Sequence, residues 1–172
     1  MHEQDEQWMR EALALAQLGA AVGEVPVGAV VVHGDKIIGR GYNSPIGRND
    51  PCAHAEILAL REAAAHIENY RLVDCDLYVT LEPCGMCTGA LVHSRIRRLV
   101  YGATEPKAGV VISQDQILES DYLNHTVAVT GGVLADECST ILSDFFKKRR
   151  KKKKEEKQRM KEAAATMAVI KG

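Results

Sequence analysis

His54 and Glu56, with Cys84 and Cys87 further along, are the residues whose types and spacing can do chemistry together. One imidazole and two thiolates supply three protein ligands to a zinc ion. Three ligands leave a position for water, which is the catalytic arrangement, whereas structural zinc closes with four. Glu56, two residues from the imidazole, is placed to move protons rather than to bind metal. A neutral His and two thiolates cancel the charge of the ion, so its water is acidified less than at a three-His site. Helix dipoles and Glu56 as proton acceptor must compensate.

The elements that position these groups follow from the pattern of the chain. Asp5 to Ala21 carries a helical stripe of Met9, Ala12, Leu13, Ala16 and Ala20. Val27–His33 and Lys36–Arg40 read as two strands of a hairpin turned at Gly34-Asp35. His54 to His66 is helical, and Asp76 to Leu81 is a strand. Pro83 suits the first position of a helix that runs to about Ser94. Cys84 and Cys87, three apart, then share one face, near an N-terminus that favours thiolates. Positions 54 and 56 share no face of an ideal helix, so spacing alone does not bring both to one ion. Leu99–Tyr101 and Thr126–Thr130 are further strands, and Leu134 to Phe146 is an amphipathic helix. This order predicts an α/β fold: one mixed sheet with helices on both faces, and parallel pairing of consecutive strands separated by helices.

At 172 residues and 46% hydrophobic, the chain suits one domain, residues 1–150, with an appendage over 151–172. No apolar run approaches the roughly 20 residues of a membrane span, and the polar, acidic start does not resemble a signal peptide. The expected setting is the cytoplasm, with no membrane and with the five cysteines reduced. The net charge of −1 hides a division. Residues 1–146 hold 10 Lys/Arg against 20 Asp/Glu, and residues 147–172 hold 12 against 3. An acidic body with a basic end points to an anionic partner gripped locally. Lys147 to Lys154 are eight consecutive basic residues that circle a helix completely and repel one another, so a frayed, solvated tail is expected beyond about Arg150. Cys138 is expected in the core, His93 at the surface, and at least one of Phe145 and Phe146 in the core.

His54-x-Glu56 followed 27 positions later by Pro83-Cys84-x-x-Cys87 is the pattern of the zinc nucleobase deaminases. Around it, Glu24–Ala29, Asn43–Arg48, Asp50–Glu56, Tyr70–Leu72, Leu77–Cys84, His93–Ile96 and Ser143–Phe146 closely resemble the bacterial tRNA-specific adenosine deaminases of the cytidine deaminase superfamily. The resemblance spans roughly residues 5 to 150. It implies a three-layer α/β/α cytidine deaminase-like fold on a five-stranded mixed sheet, and a homodimer with one zinc per subunit. The reaction it implies is conversion of adenosine to inosine at the wobble position of a tRNA anticodon loop. Activated water would attack C6 of a flipped-out adenine while Glu56 shuttles protons. By the same resemblance His54, Cys84 and Cys87 are the zinc ligands and Asn43 bonds the nucleoside. Val27, Gly28 and the Ala55 backbone wall the base, Lys107 touches phosphate, and Asp144, Phe145, Phe146 and Arg149 hold neighbouring nucleotides.

Three other readings stay open on sequence. A small-molecule deaminase acting on cytosine, cytidine or guanine would use the same zinc centre. An adenine deaminase adapted to single-stranded DNA would share the whole domain. A non-catalytic RNA-binding module with structural zinc would need Cys52 or Cys75 as a fourth ligand and would leave Glu56 without a task.

Overall fold

Ala29 and Val31 are fully buried and so is Val30 between them, so the strand that carries them must lie between two layers. The computed structural model describes residues 2–170, and it has that sandwich. Helix α1 (His2–Ala21) leads into the hairpin β1 (Gly28–His33) and β2 (Lys36–Tyr42). A short α2 (Pro45–Arg48) precedes α3 (Ala55–His66), β3 (Cys75–Leu81), α4 (Gly85–His93) and β4 (Arg98–Ala103). A 3-10 turn (Ile117–Glu119), β5 (Ala128–Thr130) and α5 (Ala135–Ile170) complete the described chain. Met1, Lys171 and Gly172, at the limits of the two expected segments, lie outside the described residues.

The five strands form one sheet in the order β2-β1-β3-β4-β5, so the expected five-stranded mixed sheet is observed. β1 pairs antiparallel with both β2 and β3, whereas β3–β4 and β4–β5 are parallel. Parallel pairing across each helix therefore fails once: β1 is wedged between β2 and β3. Helices α3 and α4 pack on one face through Ala59, Leu60, Ala63, Leu91 and Val92. Helices α1 and α5 cover the other through Trp8, Met9, Ala12, Leu13 and Cys138.

Close approach of helix to sheet depends on glycine. A Cβ on Gly39 would sit 2.1 Å from the Ala59 carbonyl oxygen, and one on Gly41 would sit 2.2 Å from that of Ala55. Both glycines thus let α3, with His54 and Glu56 at its start, lie directly on β2.

Two expectations about the C-terminal region are corrected. Neither phenylalanine is in the core: Phe145 is half-buried and Phe146 is 39% exposed, because Ile141 and Leu142 are the last residues of α5 packed against the core clusters. The basic run does not leave the helix at Arg150 but continues in it to Ile170. Between Ala135 and Ile170 there is no Gly or Pro, and the Ala, Glu, Lys, Gln and Met of this stretch are strong helix formers.

Candidate active site

His54 is the N-cap of α3 and Cys84 is the N-cap of α4. Their carbonyl oxygens accept the first helical bonds, from Leu58 N–H at 3.1 Å and from Thr88 N–H at 2.9 Å. Neither side chain caps its own helix, so both are free to face one another. Cys87, in the first turn of α4, completes the group. Pro83 thus stands one residue outside α4 rather than at its first position, because Cys84 takes the cap.

His54 Nδ1 lies 3.7 Å from Cys84 Sγ and 3.6 Å from Cys87 Sγ. Tetrahedral zinc bonded at about 2.3 Å to sulfur and about 2.0–2.1 Å to nitrogen requires an N···S separation of roughly 3.6 Å. The donor set therefore fits a tetrahedral metal with one position left over. Among the described residues no fourth ligand joins the three. Cys52 is exposed, and buried Cys75 begins β3 while the site lies beyond its other end. Cys138 is in the core and His93 is at the surface, as the sequence predicts.

The electrostatics follow from crowding. Hydrogen bonds from Cys87 and His54 hold the Cys84 thiol down at about 3. The Cys84 sulfur, together with burial, pushes Cys87 upward. His54 is raised by its bond to Cys84, against the opposing effect of burial. A divalent cation held by the three donors would let both sulfurs ionise. Glu56 is 4% exposed, with its carboxyl against the Cys87 sulfur, and burial raises its affinity for a proton.

Asn43 belongs to the same neighbourhood. Its N–H donates to the Val27 carbonyl at 3.1 Å, and its side-chain Oδ1 accepts the Ala55 N–H at 2.9 Å. Val27, Asn43 and Ala55 are thereby tied together beside His54. Gly28 is turned away: a Cβ there would meet the Ala12 carbonyl at 2.0 Å, so the position serves contact with α1 and leaves only backbone for the site. Lys107 is exposed on the loop after β4. Asp144, Phe145, Phe146 and Arg149 lie on α5, across the sheet from the cluster, and Phe145 and Arg149 share a groove with Ala20 and Gly23 at the end of α1.

Glu82 is a positioning residue to which sequence reasoning gave no role. It is 2% exposed, two residues before Cys84. Its Oε1 accepts N–H bonds from Val111, Ile112 and Ser113 at 3.1, 2.8 and 3.0 Å. Its Oε2 accepts from the Glu105 N–H at 2.9 Å and from the Ser113 hydroxyl. Burial raises its pKa, but the bonds from Ile112, Ser113 and Glu105 outweigh that and hold it below the ordinary carboxylate value. The loop over 105–113 is thus fastened beside Cys84, where Val110 N–H also donates to the Pro83 carbonyl at 3.1 Å. The available signal was one acid in the apolar run Leu77–Cys84. Glu24, 3% exposed, does similar work by accepting the Gly47 N–H at 2.7 Å, which fixes α2 next to Asn43.

Comparison with known proteins agrees with this geometry. Residues 3–150 match the family model of the MafB19-like deaminases. A tRNA-specific adenosine deaminase of Haemophilus influenzae is 55% identical over 84% of this chain and 84% of its own. That of Streptococcus pyogenes serotype M1 is 44% identical over 84% and 85%. Among solved structures, one from a study of A-to-I editing by tRNA:A34 deaminases superposes with a TM-score of 0.77 at 41% identity, covering 79% of this chain and 99% of that one. A guanine deaminase of Nitrosomonas europaea superposes with a TM-score of 0.69 at 28% identity, covering 81% and 83%. With most of its length matched and the donor cluster in place, this chain belongs to the MafB19-like deaminase family, among the tRNA-specific adenosine deaminases.

Proposed function

We propose that this chain converts adenosine to inosine at the wobble position of tRNA, by hydrolysis of the 6-amino group of a base flipped into the site. The observation that carries the reading is the His54–Cys84–Cys87 cluster with buried Glu56 beside it, in a chain 55% identical to a tRNA-specific adenosine deaminase. His54, Cys84 and Cys87 would hold one zinc ion per chain. When bound, the ion lowers the pKa of a coordinated water so that a nucleophile exists at neutral pH.

Glu56 accepts the proton that water gives up and delivers it to the ring nitrogen beside the reacting carbon. It then carries a proton to the departing amine, which leaves as ammonia. One water is consumed, one carbon–oxygen bond forms and one carbon–nitrogen bond breaks. Burial raises the proton affinity of Glu56, which suits a group that must both take and give a proton. Because the Asn43 Oδ1 is occupied by the Ala55 N–H, its amide NH2 is left to donate to the nucleoside. Val27 and the backbone of Gly28 and Ala55 wall the base. Lys107 meets phosphate, and Asp144, Phe145, Phe146 and Arg149 hold nucleotides beside the flipped base.

Residues 1–150 are the catalytic domain and 151–172 its basic appendage. The active form is a homodimer, supported by the resemblance and by apolar side chains exposed near the site, Met86 at 38% and Ile112 at 51%. The setting is the cytoplasm, where tRNA is at hand and thiols stay reduced. Among the described residues, no helix is long and apolar enough to cross a membrane.

The likeness to a guanine deaminase makes a free-purine reaction the specific competitor. Zinc-loaded protein is offered an anticodon stem-loop with adenosine at the wobble position, free adenosine and free guanine, and the products are separated by chromatography. Inosine from the stem-loop, with free substrates turned over at least about a hundredfold less efficiently, supports the RNA reading. The opposite order overturns it.

A further inference from the structure

The basic run has a definite direction on the folded chain. Glu137 and Ile141 of α5 border Leu13 and Ala14 of α1, and Phe145 and Lys148 border Ala20 and Ala21. The two helices thus run alongside one another toward the C-terminal end of α1. Gly23, just past that end, is four residues from Val27, so it lies within about 14 Å of it. Val27 is tied to Asn43, and Asn43 to Ala55 beside His54. The basic part of α5 therefore emerges at the end of the sheet that carries the cluster.

There, a shallow groove opens between Ala20 and Gly23 on one side and Phe145, Lys148, Arg149, Lys152 and Lys153 on the other, with Glu156 at its outer end. Lys151 and Lys154 border a different hollow, lined also by Gln158 and Arg159. A complete ring of charge on an isolated helix thus becomes two distinct faces once α5 is docked, one of them turned toward α1. The four groove cations have no ion-pair partner among the described residues. Lys152 and Lys153 also lie beyond residue 150, where the match to the deaminase family ends.

We propose that this groove is a phosphate track for the RNA strand that flanks the base in the site, extending the substrate-binding surface beyond the deaminase domain. The proposal rests on the RNA reading above. Cations arrayed on a helix face neutralise phosphate and carry no base preference.

Two full-length double variants, Lys152→Gln/Lys153→Gln on the groove and Lys151→Gln/Lys154→Gln on the other face, remove equal charge and keep good helix formers. Binding of a fluorescent anticodon stem-loop is followed by anisotropy from about 0.05 to 0.3 M salt, in a Glu56→Ala background so that no product forms. The groove pair should weaken binding roughly tenfold near 0.15 M salt, and flatten the slope of log affinity against log salt by about 1.5. The other pair should change affinity by less than about threefold. Equal losses from both pairs, or none from the groove pair, overturn the track. Failure of the unaltered chain to deaminate the same stem-loop, measured separately, strikes the functional reading instead.

Discussion

Gly41→Ala tests whether the seat of α3 on β2 sets the geometry of the site. A Cβ at this position would lie 2.2 Å from the Ala55 carbonyl oxygen and 2.8 Å from Ala59 N, all backbone on the helix side. Real Cβ atoms essentially never approach closer than 3.0 Å, so α3 must lift by about 0.8 Å or β2 must yield by as much. Overpacking of this kind costs about 1–3 kcal/mol. For a chain of this length, that lowers Tm by roughly 2–4 °C per kcal/mol. Gly39→Ala meets an equal obstacle, 2.1 Å from the Ala59 carbonyl, but one turn further along α3 from His54. Both variants should therefore lose similar stability in a thermal melt, while their activities differ. A misplacement approaching 1 Å at Ala55 displaces His54 and Glu56 and should cost about 10²-fold in single-turnover deamination. The shift at Ala59 should cost less than about tenfold. Wild-type stability and rate in Gly41→Ala would refute the close seating, and equal activity losses in both variants would show that α3 moves as a rigid body.

Other expectations follow from the same geometry. His54→Ala, Cys84→Ala and Cys87→Ala should each lose most of the bound zinc in metal analysis, because three ligands leave no redundancy; near-full occupancy in any of them would contradict the site. Glu56→Ala should keep zinc and fold while its rate falls by at least about 10²-fold, and a loss within tenfold, about 1.4 kcal/mol, would assign the proton transfer elsewhere. Asp5 is buried, which raises its pKa, but the bidentate Arg98 pair at 2.9 Å and the Tyr78 hydroxyl at 2.9 Å outweigh that and hold it below its unfolded value. Its ionised form therefore favours the folded state: the contribution is complete above the unfolded value near 3.8 and is lost as pH falls through the lower folded value. Asp5→Asn should cost about 3 kcal/mol near neutrality by urea titration, since Arg98 is left largely buried without its partner, and the penalty should shrink in acid. A pH-independent difference would contradict the pair.

Legibility in the sequence varied with how local the cause was. The cluster was readable because ligand type, spacing and helix-start position are local properties of His54, Glu56, Cys84 and Cys87. The sheet order was not: nothing within β1 says that it pairs with β3 as well as β2, since a strand buried on both faces looks the same in any central place. Glu82 escaped because its donors lie 23 to 31 residues away, and an acid next to Pro83 resembles a solvated strand end. Asn43 was visible only through resemblance, and its bond to the Ala55 N–H supplies the physical reason for its place. Phe145 and Phe146 misled because an apolar pair on an amphipathic helix implies a core, while the core contacts of α5 end at Ile141 and Leu142. The helical continuation past Arg150 was readable from propensity, but eight successive positive charges argued the other way.

The most direct test of hydrolytic deamination at this cluster is reaction of an anticodon stem-loop in oxygen-18-labelled water, read by mass spectrometry of the product nucleoside. Zinc-loaded protein should yield inosine carrying one labelled oxygen on the carbon that bore the amino group, with ammonia released in equal amount, and Glu56→Ala should yield almost none. Absence of inosine, or inosine whose new oxygen is unlabelled, would contradict the assignment.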